Sequence, residues 1–90
     1  MTFFVCPVCG YSGLEEEPWP EHGGGSHEIC PSCGIQFGYD DAAGGHEAAR
    51  FELWKEWRQS WIGNGMPWKS VGQKPPPNWN PAAQIRNITK

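Results

Sequence analysis

Apolar positions in this chain come as short clusters before residue 45 and as one helical repeat after it. Phe3-Phe4-Val5, His27-Glu28-Ile29 and Ile35-Gln36-Phe37 are brief enough to be strands and predict a pair of short hairpins. Between them, Glu15 to Gly25 is polar, with Pro18, Pro20 and the run Gly23-Gly24-Gly25, and predicts a mobile loop. From His46 to Ile62 the repeat is helical. On a helical wheel, Phe51, Leu53, Trp54, Trp57, Trp61 and Ile62 share one half, and Glu52, Lys55, Glu56, Gln59 and Ser60 share the other. Gly63-Asn64-Gly65 stops this helix, because glycine accepts the left-handed backbone of a C-terminal cap. Further on, Pro75-Pro76-Pro77 favours an extended polyproline segment. Asn80 then reads as an N-cap with Pro81 at the first helical position, opening a short helix over Ala82 to Ile88 with Ile85 and Ile88 on one side.

Composition sharpens this outline. The chain has 90 residues, of which 38% are apolar, with 12 Gly and 9 Pro. So short a chain implies one domain, and one that is marginal without a staple. We expect it to divide into residues 1–45, a helix over 46–62, and a Trp- and Pro-rich tail over 63–90. The apolar content sits in large rings, with six Trp, four Phe and two Tyr, which bury much area per residue.

The staple is legible in the cysteines. Cys6-Pro7-Val8-Cys9-Gly10 and Cys30-Pro31-Ser32-Cys33-Gly34 repeat one pattern at the spacing C-x2-C-x20-C-x2-C. Two intervening residues let both sulfurs of a tight turn point to one centre, and the Gly after each pair permits positive φ. Two such turns facing each other close a tetrahedron around one structural zinc ion, held by Cys6, Cys9, Cys30 and Cys33. The fold expected is therefore α+β: a small zinc ribbon, its two Cys knuckles on short β-hairpins, packed against one amphipathic helix, with a Pro-rich tail ending in a short helix.

Four thiolates also suit iron. The paired Cys-Pro-x-Cys-Gly loops resemble those of rubredoxins, which implies an iron electron carrier as the alternative. Over a longer span the chain resembles small bacterial cysteine-rich proteins of the CPCC type. That likeness is carried by Cys6 to Tyr11, His27 to Gly34, Phe37 to Asp41 and, in a related group, Trp61 to Trp68 and Trp79 to Ile88. It implies zinc binding and no particular activity.

An enzyme is not expected. A closed four-cysteine site leaves no position for a substrate. His27 and Glu28 are adjacent rather than spaced His-x-Glu, and Pro31 lies inside its Cys pair, so the zinc-deaminase pattern fails. A reactive Cys-Pro-x-Cys redox pair opens a helix, which Gly10-Tyr11-Ser12-Gly13 cannot continue, and one such pair would suffice where here there are two. His22, His27 and His46 are scattered; His22 and His27, flanking the glycine run, read as surface or loop residues rather than metal ligands, and His46 as part of the first helical turn.

Charge is divided. Residues 1 to 49 hold eight acidic residues and no Lys or Arg, whereas residues 50 to 90 hold all seven basic residues against Glu52 and Glu56. Either the halves neutralise each other, or the acidic half faces a basic protein partner. A narrower form of the second reading is an antitoxin- or immunity-like protein that masks a basic nuclease. Nucleic-acid binding is a further alternative, with Arg50, Lys55, Arg58, Lys69 and Lys74 beside Trp57, Trp61 and Trp68; the acidic first half opposes it. Trp68 and Trp79 read equally as a lid over the core or as a protein-contact patch. No targeting segment and no membrane-spanning run is visible, so a cytoplasmic, reducing home is expected.

Overall fold

In the computed structural model, residues 3–20 and 24–88 are described. Two helices carry the regular structure: α1, Glu47–Gly63, and α2, Pro81–Gln84. Single 3₁₀ turns precede α1 at Ala43–Gly45 and follow α2 at Ile85–Asn87. Among the described residues no helix is long and apolar enough to cross a membrane.

The α+β ribbon expected from the sequence is not what forms. No strand is present among the described residues; the apolar clusters meet only at two isolated antiparallel bridges, Phe4 with Leu14 and Ile29 with Gln36. The cause lies in the local pairing. Phe4 exchanges both backbone hydrogen bonds with Leu14, yet the next bond runs from Cys6 N–H to the Tyr11 carbonyl. One residue, Val5, thus faces two, Ser12 and Gly13, a bulge that interrupts the ladder directly after the first bridge. On the other side Phe37 N–H bonds to Glu28, but His27 N–H bonds back to Phe37, so the register slips. His27 itself has φ 66°, outside extended geometry.

Helix α1 begins one residue later than expected, with His46 as an extended N-cap. Its end follows glycine chemistry. Gly65 turns left-handed at φ 90°, Gly65 N–H bonds to the Ile62 carbonyl and Met66 N–H to the Trp61 carbonyl. That is the paired-bond C-terminal cap of a helix. The face it buries is rotated from the one expected. Trp61 is buried and Trp54 and Trp57 pack on the core, while Phe51 and Ile62 are exposed. The inward stripe is Arg50, Trp54, Trp57 and Trp61, at spacings of four, three and four.

Hydrogen bonding explains that choice. A buried indole N–H needs an acceptor. Trp54 Nε1 donates to Asp41 Oδ2 (2.6 Å), Trp57 Nε1 to the Cys33 carbonyl (3.0 Å) and Trp61 Nε1 to the Pro67 carbonyl (2.9 Å). Phe51 and Ile62 bring no such donor to the core. The other three tryptophans donate as well: Trp19 to Asp41, Trp68 to the Gln73 carbonyl, Trp79 to Gln84 Oε1. All six indoles of the chain are thereby used as hydrogen-bonding struts.

The tail folds back. Trp68 meets Tyr11 and Trp79 edge-on, at ring-centroid distances of 5.7 and 5.1 Å, so both tail tryptophans form a lid on the aromatic core. The expected polyproline extension closes early into a turn, with Trp79 N–H bonded to the Pro76 carbonyl and Asn78 at φ 58°. Asn80 caps α2 as expected, its side chain accepting from Ala83 N–H, with Pro81 at the first position. The Glu15–Gly25 loop, expected to be mobile, carries anchors at its described residues. Pro18 is buried, its carbonyl accepts from Ser26 N–H, and the Glu28 carboxylate accepts from Glu15 and Glu16 N–H at 3.0 Å each. His22 and the start of the glycine run lie outside the described residues.

Candidate metal centre

The two cysteine turns are built alike. In the first, Gly10 N–H bonds to the Cys6 carbonyl and Cys6 N–H to the Tyr11 carbonyl. In the second, Gly34 N–H bonds to the Cys30 carbonyl and Cys30 N–H to the Ile35 carbonyl. Gly10 and Gly34 stand at φ 86° and 82°, the left-handed backbone that their lack of a Cβ permits. One local rule, applied twice, thus aims both pairs of sulfurs inward.

The four sulfurs meet. Cys9 Sγ lies 3.6 Å from Cys30 Sγ and Cys6 Sγ lies 3.9 Å from Cys33 Sγ. All four lie within 4.8 Å of one another. Ligands at about 2.3 Å from a central ion stand about 3.8 Å apart on a tetrahedron, so the cluster fits a single ion. The separations are far beyond a disulfide, and all four thiols are free and buried. The donor set, its geometry and its burial are therefore compatible with metal binding by Cys6, Cys9, Cys30 and Cys33.

Burial pushes the Cys6 thiol well up, because a thiolate there would lose its hydration, and contacts with Cys30, Cys33 and Cys9 add to this. Cys33 is pushed up as well, chiefly by its hydrogen bond with Cys30. Cys9 is held far down, as hydrogen bonds from Cys30, Cys33 and Cys6 stabilise its charge. Metal ligation requires thiolates, so a cation entering the cluster competes with the protons on Cys6 and Cys33.

Residues remote in sequence clamp both turns. Arg58, on α1, donates through Nε to the Val8 carbonyl (2.7 Å) and through Nη2 to the Pro7 carbonyl (2.8 Å). Trp57 holds the Cys33 carbonyl from the same helix. Lys69 and Ser70 N–H groups bond to the Pro31 carbonyl. Beyond α2's N-cap, Gln84 Nε2 reaches the buried Ser32 Oγ (2.9 Å) and the Cys9 carbonyl (3.2 Å), and Asn87 Nδ2 reaches the Gly10 carbonyl (2.8 Å). The helix and the tail thus both fasten to the cysteine turns. Sequence reasoning placed none of Arg58, Gln84, Asn87 or Asp41 in this framework, since their partners stand up to 77 positions away. The one available signal was a pair of arginines, Arg50 and Arg58, on or beside the tryptophan face of α1. His27 and His46 are exposed and stand outside the sulfur cluster.

Among known proteins, the chain is 30% identical over 77 residues to the uncharacterized protein YoaQ of Bacillus subtilis (strain 168), a match covering 70% of this chain and 60% of YoaQ. The chain therefore spans less than two thirds of the length of that relative. No family model matches, and no solved structure matches. The resemblance to CPCC-type proteins gains nothing further from these comparisons.

Proposed function

We propose that this chain is a non-catalytic zinc-binding protein, in which one structural ion takes the place of a larger apolar core and the surface serves contact with another protein. The observation that carries this is the convergence of four buried sulfurs at tetrahedral spacing, with α1 and the tail both hydrogen-bonded to the turns that present them. Four thiolates close the coordination shell of zinc and leave no position for a substrate. The partner half of the reading rests on charge. Glu15, Glu16 and Glu17 are exposed in a stretch of 49 residues that has no Lys or Arg, which suits a basic protein. A masking role toward a basic nuclease is one form of that partnership. Trp61 is buried in the core, which counts against a stacking platform for nucleic acid on this helix.

Elemental analysis of natively purified protein tests the first half. One zinc per chain is the expected result; a coloured protein carrying one iron transfers the reading to electron transfer. Capture on immobilised, metal-loaded chain at low salt tests the second half, and a failure to retain any basic protein removes it.

A further inference from the structure

Against the outer side of the second cysteine turn lies a cleft of about 480 Å³, a volume suited to a small organic ligand. Its apolar walls include Ile29, Pro31 and the Trp57 ring; Lys69, Ser70 and Gln73 give it polar side chains, and Cys30, Cys33 and Gly34 of the turn complete the lining. A smaller recess of about 220 Å³ adjoins it and shares Cys33, Trp57 and Lys69. No acidic residue lines either one.

The polar groups have a definite sense. The Trp57 N–H is spent on the Cys33 carbonyl, so the indole offers the cleft an apolar surface. Ser70 Oγ accepts from Gln73 N–H (3.0 Å), which leaves its hydroxyl hydrogen to donate. Lys69 is pinned at the backbone, where its N–H bonds to the Pro31 and Ser32 carbonyls. Its stem packs over Gly34, 3.2–3.3 Å from where a Cβ would stand. An ammonium on a held stem, a hydroxyl donor and an apolar wall together form a receptor for a negative group with an apolar body.

The geometry points to this cleft as a binding site for a small aromatic or branched apolar carboxylate, the ring or branch against Trp57 and Ile29 and the carboxylate toward Lys69 and Ser70. The charge of a metal-bound tetrathiolate opposes an anion here. Cys30 and Cys33 line the cleft, but all four cysteines are fully buried, whereas Lys69 is exposed to solvent and nothing acidic competes for it among the lining residues.

Benzoate, benzyl alcohol and benzylamine share a ring and differ in charge, so titrating each into the full, as-purified chain by NMR tests the assignment. Metal content and amide dispersion recorded on the same samples separate a failure here from a failure of the metal reading. Benzoate is expected to bind saturably in the millimolar range and to shift the Trp57 indole and Lys69 signals. Lys69→Gln is expected to weaken benzoate about fivefold and Lys69→Arg to retain it, with benzyl alcohol indifferent to both. Ile29→Asp, at a position 58% exposed and so harmless to the core, is expected to abolish benzoate binding. Tighter binding of benzylamine than of benzoate, equal response of all three probes to Lys69→Gln, or no saturable shift in a well-dispersed, metal-loaded sample would each overturn the assignment.

Discussion

At Gly10 the backbone stands at φ 86°, and a Cβ there would collide with the Gln84 carbonyl oxygen. Gly10→Ala is therefore expected to lose at least about 2 kcal/mol, through left-handed strain and the displacement of α2. Gly63 is the control. It ends α1 with open space around it, so Gly63→Ala is expected to be neutral or to stabilise by up to about 1 kcal/mol. Urea midpoints of the two variants decide the comparison. Asp41 is the other position where one atom matters. It is fully buried, and its two oxygens accept from Trp19, Trp54 and the Gly38 N–H. Asp41→Asn turns one acceptor into a donor facing another donor. A loss of about 2–3 kcal/mol is expected in the same measurement.

The sequence predicts helix α1 within one residue at each end and puts Trp54, Trp57 and Trp61 inward, as they are, but it also puts Phe51 and Ile62 inward, which are exposed. Phe51 and Ile62 are also apolar yet stay exposed, so hydrophobicity alone does not orient this helix. What orients it is the set of acceptors opposite, at Asp41, Cys33 and Pro67, to which the three indoles donate. The rotated face makes an expectation that the original one does not. Trp61→Ala is expected to cost about 3–5 kcal/mol, while Ile62→Ser one residue on stays within about 0.5 kcal/mol. Equal losses at the two positions would restore the wheel read from the sequence. Arg58 ties the same helix to the first cysteine turn through two carbonyls. A lysine cannot offer that fork, and Arg58→Lys is expected to lose about 1–3 kcal/mol of thermal stability in calorimetry.

Across the whole molecule the cysteine turns are the hub, because helix and tail attach to them at least as much as to one another. Removal of the ion is therefore expected to loosen every segment together. A strong chelator should abolish amide dispersion and shift the emission of the tryptophans to the red. The stake is on the order of 10 kcal/mol, the scale of structural zinc binding in small domains. Acidity acts on the same balance. Cys6 and Cys33 have raised pKa values in the metal-free fold, so that state keeps their contribution below the ordinary thiol range and loses it as pH rises through the folded values. The depressed Cys9 has the opposite sign, with its contribution lost on acidification. Metal competes with the protons on Cys6 and Cys33, so loading at pH 7 in weak buffer should release about two or more protons per ion. Affinity should then climb with pH between about 6 and 8. A proton release near zero would exclude these thiols as the ligands.

Local chemistry wrote part of this molecule directly into the chain. Two Cys-Pro-x-Cys-Gly units dictate two like turns, Gly65 ends α1, and Asn80 with Pro81 opens α2, because each needs only its near neighbours. The meeting of the four cysteines was legible for the same reason, since matched turns have one economical way to be satisfied together. Tertiary structure decided the rest. Whether Phe4 and Ile29 extend into strands depended on a bulge and a slipped register at the cysteine turns. Which side of α1 faces inward depended on where indole acceptors lay, and Arg58, Gln84 and Asn87 acquired roles only once distant backbone carbonyls stood within their reach. A hydrogen bond between groups tens of residues apart leaves no periodic trace in a sequence, and in this fold such bonds fix the helix and the tail on the cysteine turns.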